Sequence, residues 1–112
     1  MTRFALLLAM ALGLAAASGT HAQGAGDNYP ARPVKLVVGY VPGGSPDTAA
    51  RIVSQKLGQI LGQPLVVENR AGAGGVLATA QVAKAPADGY TLLLGETGQL
   101  VIAPWITKNL AY

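Results

Sequence analysis

Short apolar runs separated by glycine and proline set the pattern of this chain. Residues 34–38, 65–69 and 90–94 are runs rich in valine and leucine, each with a breaker close by. Runs of this length with nearly continuous apolar character are typical of strands buried on both faces of a parallel sheet. The pattern therefore predicts three short strands.

The two segments between these runs have the features of helices. In the first segment, apolar residues recur at spacings of three and four, which predicts a stripe facing the core. Its members are Ala49, Ile52, Val53, Leu57, Ile60 and Leu61. Ser45 followed by Pro46 is a typical helix start, with the serine as N-cap, and Gly62 suits the end. We expect helices over 46–61 and 76–85.

The order β-α-β-α-β, with connections of helical length, predicts an α/β fold with a parallel sheet and right-handed crossovers. In such a sheet, the loops at the carboxyl ends of the strands line the ligand crevice. Three loops fall at that edge, over 39–45, 70–75 and 95–98, and all contain glycine. Beyond them, Pro104 is expected to interrupt the apolar segment 99–102.

Residues 1–22 have the features of an export signal that is removed from the mature chain. Arg3 supplies a basic start, residues 4–17 are apolar and uncharged, and Thr20-His21-Ala22 places small residues at both recognition positions of a signal peptidase. A membrane anchor is the alternative, but the run is shorter than the about 20 apolar residues that span a bilayer. We expect cleavage near Ala22, a mature chain starting at Gln23, and no direct membrane insertion after cleavage.

Composition narrows the classes of function. The formal net charge is +3 at pH 7, and the basic residues are scattered, which argues against a nucleic-acid or anionic-membrane surface. The chain has no cysteine, and its single histidine lies in the predicted leader. Ser-His and Cys-His nucleophile systems are therefore absent after cleavage. We predict no catalytic residue, no metal and no cofactor.

The glycine-rich turn after residue 38 resembles a phosphate-binding loop but lacks residues that such a loop requires. Gly44 is followed by Ser45-Pro46 instead of the required Lys-Ser/Thr. The second turn, 72–77, has Leu77 where a dinucleotide-binding turn needs a small residue. Backbone N–H groups at a helix start can still hold a small anion, and a carboxylate fits as well as a phosphate. The alternative is that these glycines only make tight turns.

Few polar or aromatic side chains have an open role. Asp47 suits the positive end of the first helix and Asp88 suits a turn, which leaves Glu96 as the unexplained carboxylate. Tyr40 and Trp105 could stack on a ligand or could simply pack.

Five spaced motifs make the chain recognisable over residues 29–95. They are Tyr-Pro-x-Arg-Pro, Pro-Gly-Gly-x-x-Asp, Leu-Gly-Gln-Pro, Val-Glu-Asn-Arg-x-Gly-Ala-Gly-Gly and Asp-Gly-Tyr-Thr-Leu-Leu. In this order and spacing, they resemble the opening of the Bug-type solute receptors of tripartite tricarboxylate transporters.

The resemblance implies a periplasmic receptor of the type II binding-protein class, not an enzyme. Its two lobes close on a small carboxylate and deliver it to the membrane permease subunits of the transporter. Residues 23–112 would be the N-terminal part of lobe 1, with the second lobe absent, so we expect a truncated chain. A secreted α/β enzyme with its catalytic residues elsewhere and the product of a broken gene are the alternatives.

The resemblance also indicates which residues belong to the ligand loops. For the first loop they are Tyr40, Pro42, Gly43, Gly44, Ser45 and Asp47. For the second they are Asn69, Arg70, Gly72 and Gly74, and for the third Glu96, Thr97 and Gly98.

Overall fold

The computed structural model describes residues 28–112, which form a three-stranded parallel sheet with helical connections. The strands are β1 (Val34–Val38), β2 (Leu65–Asn69) and β3 (Thr91–Leu94). The helices are α1 (Ser45–Leu61), α2 (Val76–Ala83) and α3 (Ala103–Ile106), with a 3-10 turn at Ala73–Gly75 and a π-helical turn at Gly98–Ile102. The predicted signal peptide and the start at Gln23 lie outside the described residues.

The predicted α/β order is confirmed, and the differences lie at the ends of elements. Ser45 is the first residue of α1 and not its N-cap, because Gly44 holds the extended cap conformation at φ −77° and ψ 172°. Gly62 is left-handed at φ 69°, as a helix-ending glycine should be. Pro104 does not interrupt the last segment. It lies in the first turn of α3, where a missing N–H is tolerated.

The sheet has the strand order β2-β1-β3, and every pair is parallel. At the carboxyl edge, Val38 is the register partner of Asn69 on one side and of Leu94 on the other. The three strands therefore end level with one another, and the loops that follow them start side by side.

The two crossovers place helices on opposite faces of the sheet. The chain moves from β1 to β2 in one direction and from β2 past β1 to β3 in the other, so right-handed connections put α1 and α2 on different sides. Ala50 of α1 packs with Leu36 and Val38 of β1 in the core. No helix among residues 28–112 has both the length and the apolar character to cross a membrane.

The predicted core-facing stripe on α1 is wrong. Ile52 is 65% exposed and Ile60 is 68% exposed, and the other members of the stripe are exposed as well. The buried residues of α1 are Asp47, Ala50 and Ser54. Small or hydrogen-bonded residues face the sheet, so the helix lies close to it and presents its larger apolar side chains outward.

The segment before β1 is fastened to the turn before β3, at the edge of the sheet opposite the glycine loops. The Tyr29 hydroxyl donates to the Gly89 carbonyl at 2.6 Å, and the Tyr90 hydroxyl accepts from the Ala31 N–H at 2.9 Å. Arg32 pairs with Asp88 at 3.1 Å and lies 3.9 Å from the centre of the Tyr90 ring. The first and last of the five motifs therefore meet as a structural clasp.

Candidate functional site: the carboxyl edge of the sheet

Three loops occupy the carboxyl edge of the sheet. Loop 1 is residues 39–44, loop 2 is residues 70–75 and loop 3 is residues 95–98. They follow β1, β2 and β3, whose last residues are register neighbours. The crossovers that leave β1 and β2 lie on opposite faces of the sheet. In sheets of this kind, the ligand crevice is expected outside the carboxyl ends of the strands, here between loops 1 and 3.

Asp47 is the centre of the hydrogen bonds behind loop 1. Its Oδ2 accepts from the Gly43 N–H and from Arg51 Nε, both at 2.9 Å, and its Oδ1 accepts from Asn69 Nδ2 at 2.9 Å. The residue is 3% exposed. Because three protein donors surround this carboxylate, its role is to hold loop 1 against the start of α1.

These donors change the acid–base properties of the cluster. The hydrogen bonds from Arg51, Gly43 and Asn69 hold the pKa of Asp47 well below its usual range. The hydrogen bond to Asp47, and then the attraction of the Asp47 negative charge, raise the pKa of Arg51. Asp47 is therefore an anion at every physiological pH, and its charge is met within the protein.

Asn69 connects the end of β2 to loop 1. Its Nδ2 donates to the Tyr40 carbonyl at 3.1 Å in addition to Asp47, and its Oδ1 accepts from Arg51 at 3.4 Å. Next to it, the Arg70 backbone N–H donates to the Val38 carbonyl at 2.8 Å. The start of loop 2 is therefore fixed to the end of β1 by both side-chain and backbone bonds.

The Arg70 side chain pairs within the sheet rim. Its Nε donates to Glu68 at 2.6 Å, and Lys35 Nζ lies 2.7 Å from the second oxygen of the same carboxylate. Lys35 first, and then Arg70, lower the pKa of Glu68 by hydrogen bonding. The Arg70 side chain is about half exposed at the start of loop 2.

The start of α1 presents backbone donors at the same edge. The first N–H groups of a helix have no acceptor within the helix. Ser45 and Asp47 carry such groups, whereas Pro46 has none, and the first intrahelical bond runs from the Thr48 N–H to the Gly44 carbonyl at 2.9 Å. Ser45 and Pro42 are exposed here. This end of the helix, with its positive dipole, directly follows loop 1 at the carboxyl edge.

Loop 2 turns sharply through four successive residues with positive φ. The angles are 152° at Gly72, 47° at Ala73, 61° at Gly74 and 90° at Gly75. A Cβ at Gly72 would also lie 2.5 Å from Leu77 Cδ1, so a side chain there would require the exposed Leu77 side chain to move. Leu77, which rules out a dinucleotide turn, thus packs back over the loop.

Tyr40 brings the three loops together. Its hydroxyl donates to the Gly74 carbonyl at 3.4 Å. Burial first, and then the nearby Glu96 carboxylate, raise the pKa of Tyr40. Glu96 is half-buried beside it, whereas Thr97 and Gly98 are exposed at the rim of loop 3. Tyr40 therefore contacts Gly74 and Glu96 through polar atoms. Trp105 is 87% exposed on α3 and has no part in this cluster.

Two residues of this region were missed by the sequence analysis. Arg51 lies one turn beyond Asp47, and an acid four residues before a base on a helix is a signal that could have found it. Gln99 is fully buried behind loop 3, and nothing in its sequence context indicates that. Within residues 28–112, no group of three or more histidine, cysteine or carboxylate residues is placed to hold a metal.

Comparison with known proteins decides the family. Residues 49–112 match the profile of the tripartite tricarboxylate transporter family receptor, TctC. The chain therefore belongs to this receptor family. BugT of Bordetella pertussis is 52% identical over 82 residues, which are 73% of this chain and 25% of BugT. The expected Bug-type relationship is confirmed, and the family is one of solute-binding receptors.

Solved structures of similar receptors share the fold. The periplasmic binding protein BugD is 45% identical with a TM-score of 0.72, over 75% of this chain and 28% of BugD. MatC from Rhodopseudomonas palustris with bound malate is 43% identical with a TM-score of 0.72, over 75% of this chain and 29% of MatC. The α/β periplasmic-binding-protein fold is thus confirmed. The chain spans between 25% and 29% of the length of these three proteins.

Proposed function

We propose that this receptor chain binds a small carboxylate at the carboxyl edge of its sheet. The observation that carries the proposal is the start of α1 at this edge, where Asp47 accepts the Gly43 N–H, the first helical N–H groups lack intrahelical acceptors and Ser45 is exposed. A helix start of this kind favours an anion. MatC, which is 43% identical, contains malate, so dicarboxylates are the first class to test.

The thirteen loop residues divide into two proposed roles. Asp47 and Asn69 build the site from behind, because their polar atoms bond to one another and to loop 1. The others form the surface that the carboxylate meets: Tyr40, Pro42, Gly43, Gly44, Ser45, Arg70, Gly72, Gly74, Glu96, Thr97 and Gly98. Ser45 and Thr97 would offer hydroxyl donors, and Arg70 a positive charge near the rim.

The family supports a proposal for the biological setting. We propose that residues 1–22 direct export and are removed near Ala22, that the receptor works in the periplasm, and that it delivers its ligand to the permease subunits of a tripartite tricarboxylate transporter. Residues 23–112 would form the N-terminal part of lobe 1, and a second lobe would close over the carboxyl edge.

Thermal melts of the chain with malate and a panel of other di- and tricarboxylates test the proposal. Ligand at 100 times its dissociation constant adds about 2.7 kcal/mol to the free energy of unfolding. For a domain of this size, we expect the melting temperature to rise by about 10–20 °C. A cooperative melt that no carboxylate shifts would contradict the proposal.

Two serines of the same helix give a matched pair for this test. Ser45→Ala removes a hydroxyl at the crevice and should weaken carboxylate binding about tenfold, the equivalent of one hydrogen bond. Ser54→Ala removes a hydroxyl from the middle of α1, where it faces the sheet, and should leave the affinity unchanged. Equal affinities of the two variants would argue that the ligand lies elsewhere.

A further inference from the structure

Gln99 is the largest of the fully buried side chains in the described part of the chain, and it is polar. It belongs to the π-helical turn Gly98–Ile102, directly after loop 3. Burying a carboxamide is unfavourable unless its groups are hydrogen-bonded. The contacts of Gln99 therefore need an explanation beyond filling space.

The carboxamide is only half satisfied. Its Nε2 donates to the Leu94 carbonyl at 3.0 Å, whereas its Oε1 has no hydrogen-bond partner within residues 28–112. A buried acceptor left without a donor costs on the order of 1–3 kcal/mol. A methionine of similar volume would fill the same space without that cost, so filling the space does not account for a glutamine.

Oε1 lies between two glycines at the roots of loops 1 and 2. A Cβ on Gly75 would overlap Oε1, and a Cβ on Gly39 would lie 2.7 Å from Gly75 Cα and 2.9 Å from Oε1. Gly39 begins loop 1, Gly75 ends loop 2, and Leu94 is the residue before loop 3. One side chain thus contacts the roots of all three loops.

The backbone of Gln99 is held as well. Its carbonyl accepts a hydrogen bond from the Tyr112 hydroxyl. The next residue, Leu100, donates its N–H to the Glu96 carbonyl at 3.0 Å. A displacement of Gln99 would therefore be passed directly to Glu96 in loop 3.

We propose that Gln99 is a positioning residue that sets the spacing of the three ligand loops. Its amide group ties the turn after loop 3 to the end of β3, and its oxygen occupies the slot between Gly39 and Gly75. The inference rests on the proposed function only where it predicts a change in carboxylate affinity. The spacing of the loops can be measured without a ligand.

The first test is Gln99→Met in the 112-residue chain. We expect a urea midpoint close to that of wild type, because the loss of the Nε2–Leu94 hydrogen bond and the removal of the unpaired Oε1 act in opposite directions. The backbone amide resonances in loop 1 and loop 3 should shift. If the chain binds malate, the affinity of the variant should fall about tenfold, the equivalent of one misplaced hydrogen bond. Loop resonances that stay at their wild-type positions would overturn the proposal.

A second test remains decisive if that variant does not fold. Gly75→Ala adds a methyl group where Oε1 lies, so its effect should depend on residue 99. In the wild-type background it should lower the urea midpoint and shift the amide resonances of Glu96 and Gly98. In the Gln99→Ala background both effects should shrink, leaving the strain of an alanine at φ 90°. Equal effects in the two backgrounds would overturn the proposal.

The two proposals fail in different ways. A wild-type chain that binds no carboxylate contradicts the proposed function, while the loop resonances of the variants still decide the role of Gln99. If the wild-type chain and Gln99→Met bind malate with the same affinity and have the same loop resonances, the proposed function is supported and the positioning role of Gln99 is contradicted.

Discussion

Asn69 Nδ2 donates a hydrogen bond of 2.9 Å to Asp47 Oδ1. This bond joins the last residue of β2 to the first turn of α1, although the residues are 22 positions apart in the chain. It couples the end of β2 to loop 1, which follows the neighbouring strand β1. The shape of loop 1 therefore depends on β1 and β2 and not on its own glycines alone.

Asp47→Asn tests the charge in this cluster. The pKa of Asp47 is lower in the folded chain than in the unfolded chain, so its contribution to stability is present above the unfolded pKa, about 3.9, and is lost as the pH falls towards the folded value. We expect the variant to be less stable than wild type at neutral pH. The difference should narrow as the pH falls below about 4.

Urea denaturation of both proteins between neutral pH and about pH 3 gives the comparison. The Lys35–Glu68 pair is present in both chains, so its titration cancels in the difference. A stability difference that stays constant over this range would show that the Asp47 carboxylate gains nothing from its donors.

Asn69→Ala tests the connection from the side of β2. The variant leaves the Tyr40 carbonyl and one Asp47 oxygen without their donor, and each unpaired buried group costs on the order of 1–3 kcal/mol. We expect a loss of stability of about 2–6 kcal/mol by urea denaturation. Gln55→Ala, an exposed position on α1, is the control and should change stability by less than about 0.5 kcal/mol.

The outward-facing apolar residues of α1 predict an unusual pair of results. Ile60 is 68% exposed, so Ile60→Ala should change the free energy of unfolding by less than about 0.5 kcal/mol. Leu36 is 6% exposed in the core, so Leu36→Ala should cost about 2–5 kcal/mol. Similar losses in the two variants would mean that the apolar stripe is covered in solution.

Arg32→Ala tests the clasp at the opposite edge of the sheet. The variant removes an exposed ion pair with Asp88 and a contact with the face of the Tyr90 ring. Together these are worth about 1–2 kcal/mol, so the chain should lose stability by that amount. Carboxylate affinity should not change, because the clasp lies away from the three loops. A loss of affinity without a loss of stability would contradict the assignment of a structural role to the clasp and of carboxylate binding to the opposite edge.

The strands could be predicted because their signals are local. β1 and β2 begin and end at the predicted residues, since short apolar runs between prolines and glycines leave few other structures. The exposed stripe on α1 was mispredicted because periodicity shows which residues share a face, not what covers that face. Small residues such as Ala50 mark the contact with the sheet instead.

The site was only partly predictable, because a local pattern does not show which distant segments come into contact. Loop positions follow from strand order, so the three glycine loops could be placed at one edge from the sequence. The bonds between Asp47 and Asn69, and the burial of Gln99, depend on contacts between distant segments, and no local pattern encodes them. Tyr40 could be assigned only once the neighbouring Gly74 and Glu96 were located.

We propose that a small carboxylate binds at the start of α1 between loops 1 and 3. Titration of the isotope-labelled chain with malate, followed through its backbone amide resonances, tests this proposal. We expect the largest shifts at Gly43, Gly44 and Ser45, with further shifts at Thr97 and Gly98, and none at Gly89 in the clasp. Shifts confined to other parts of the chain, or no saturable shift at all, would contradict it.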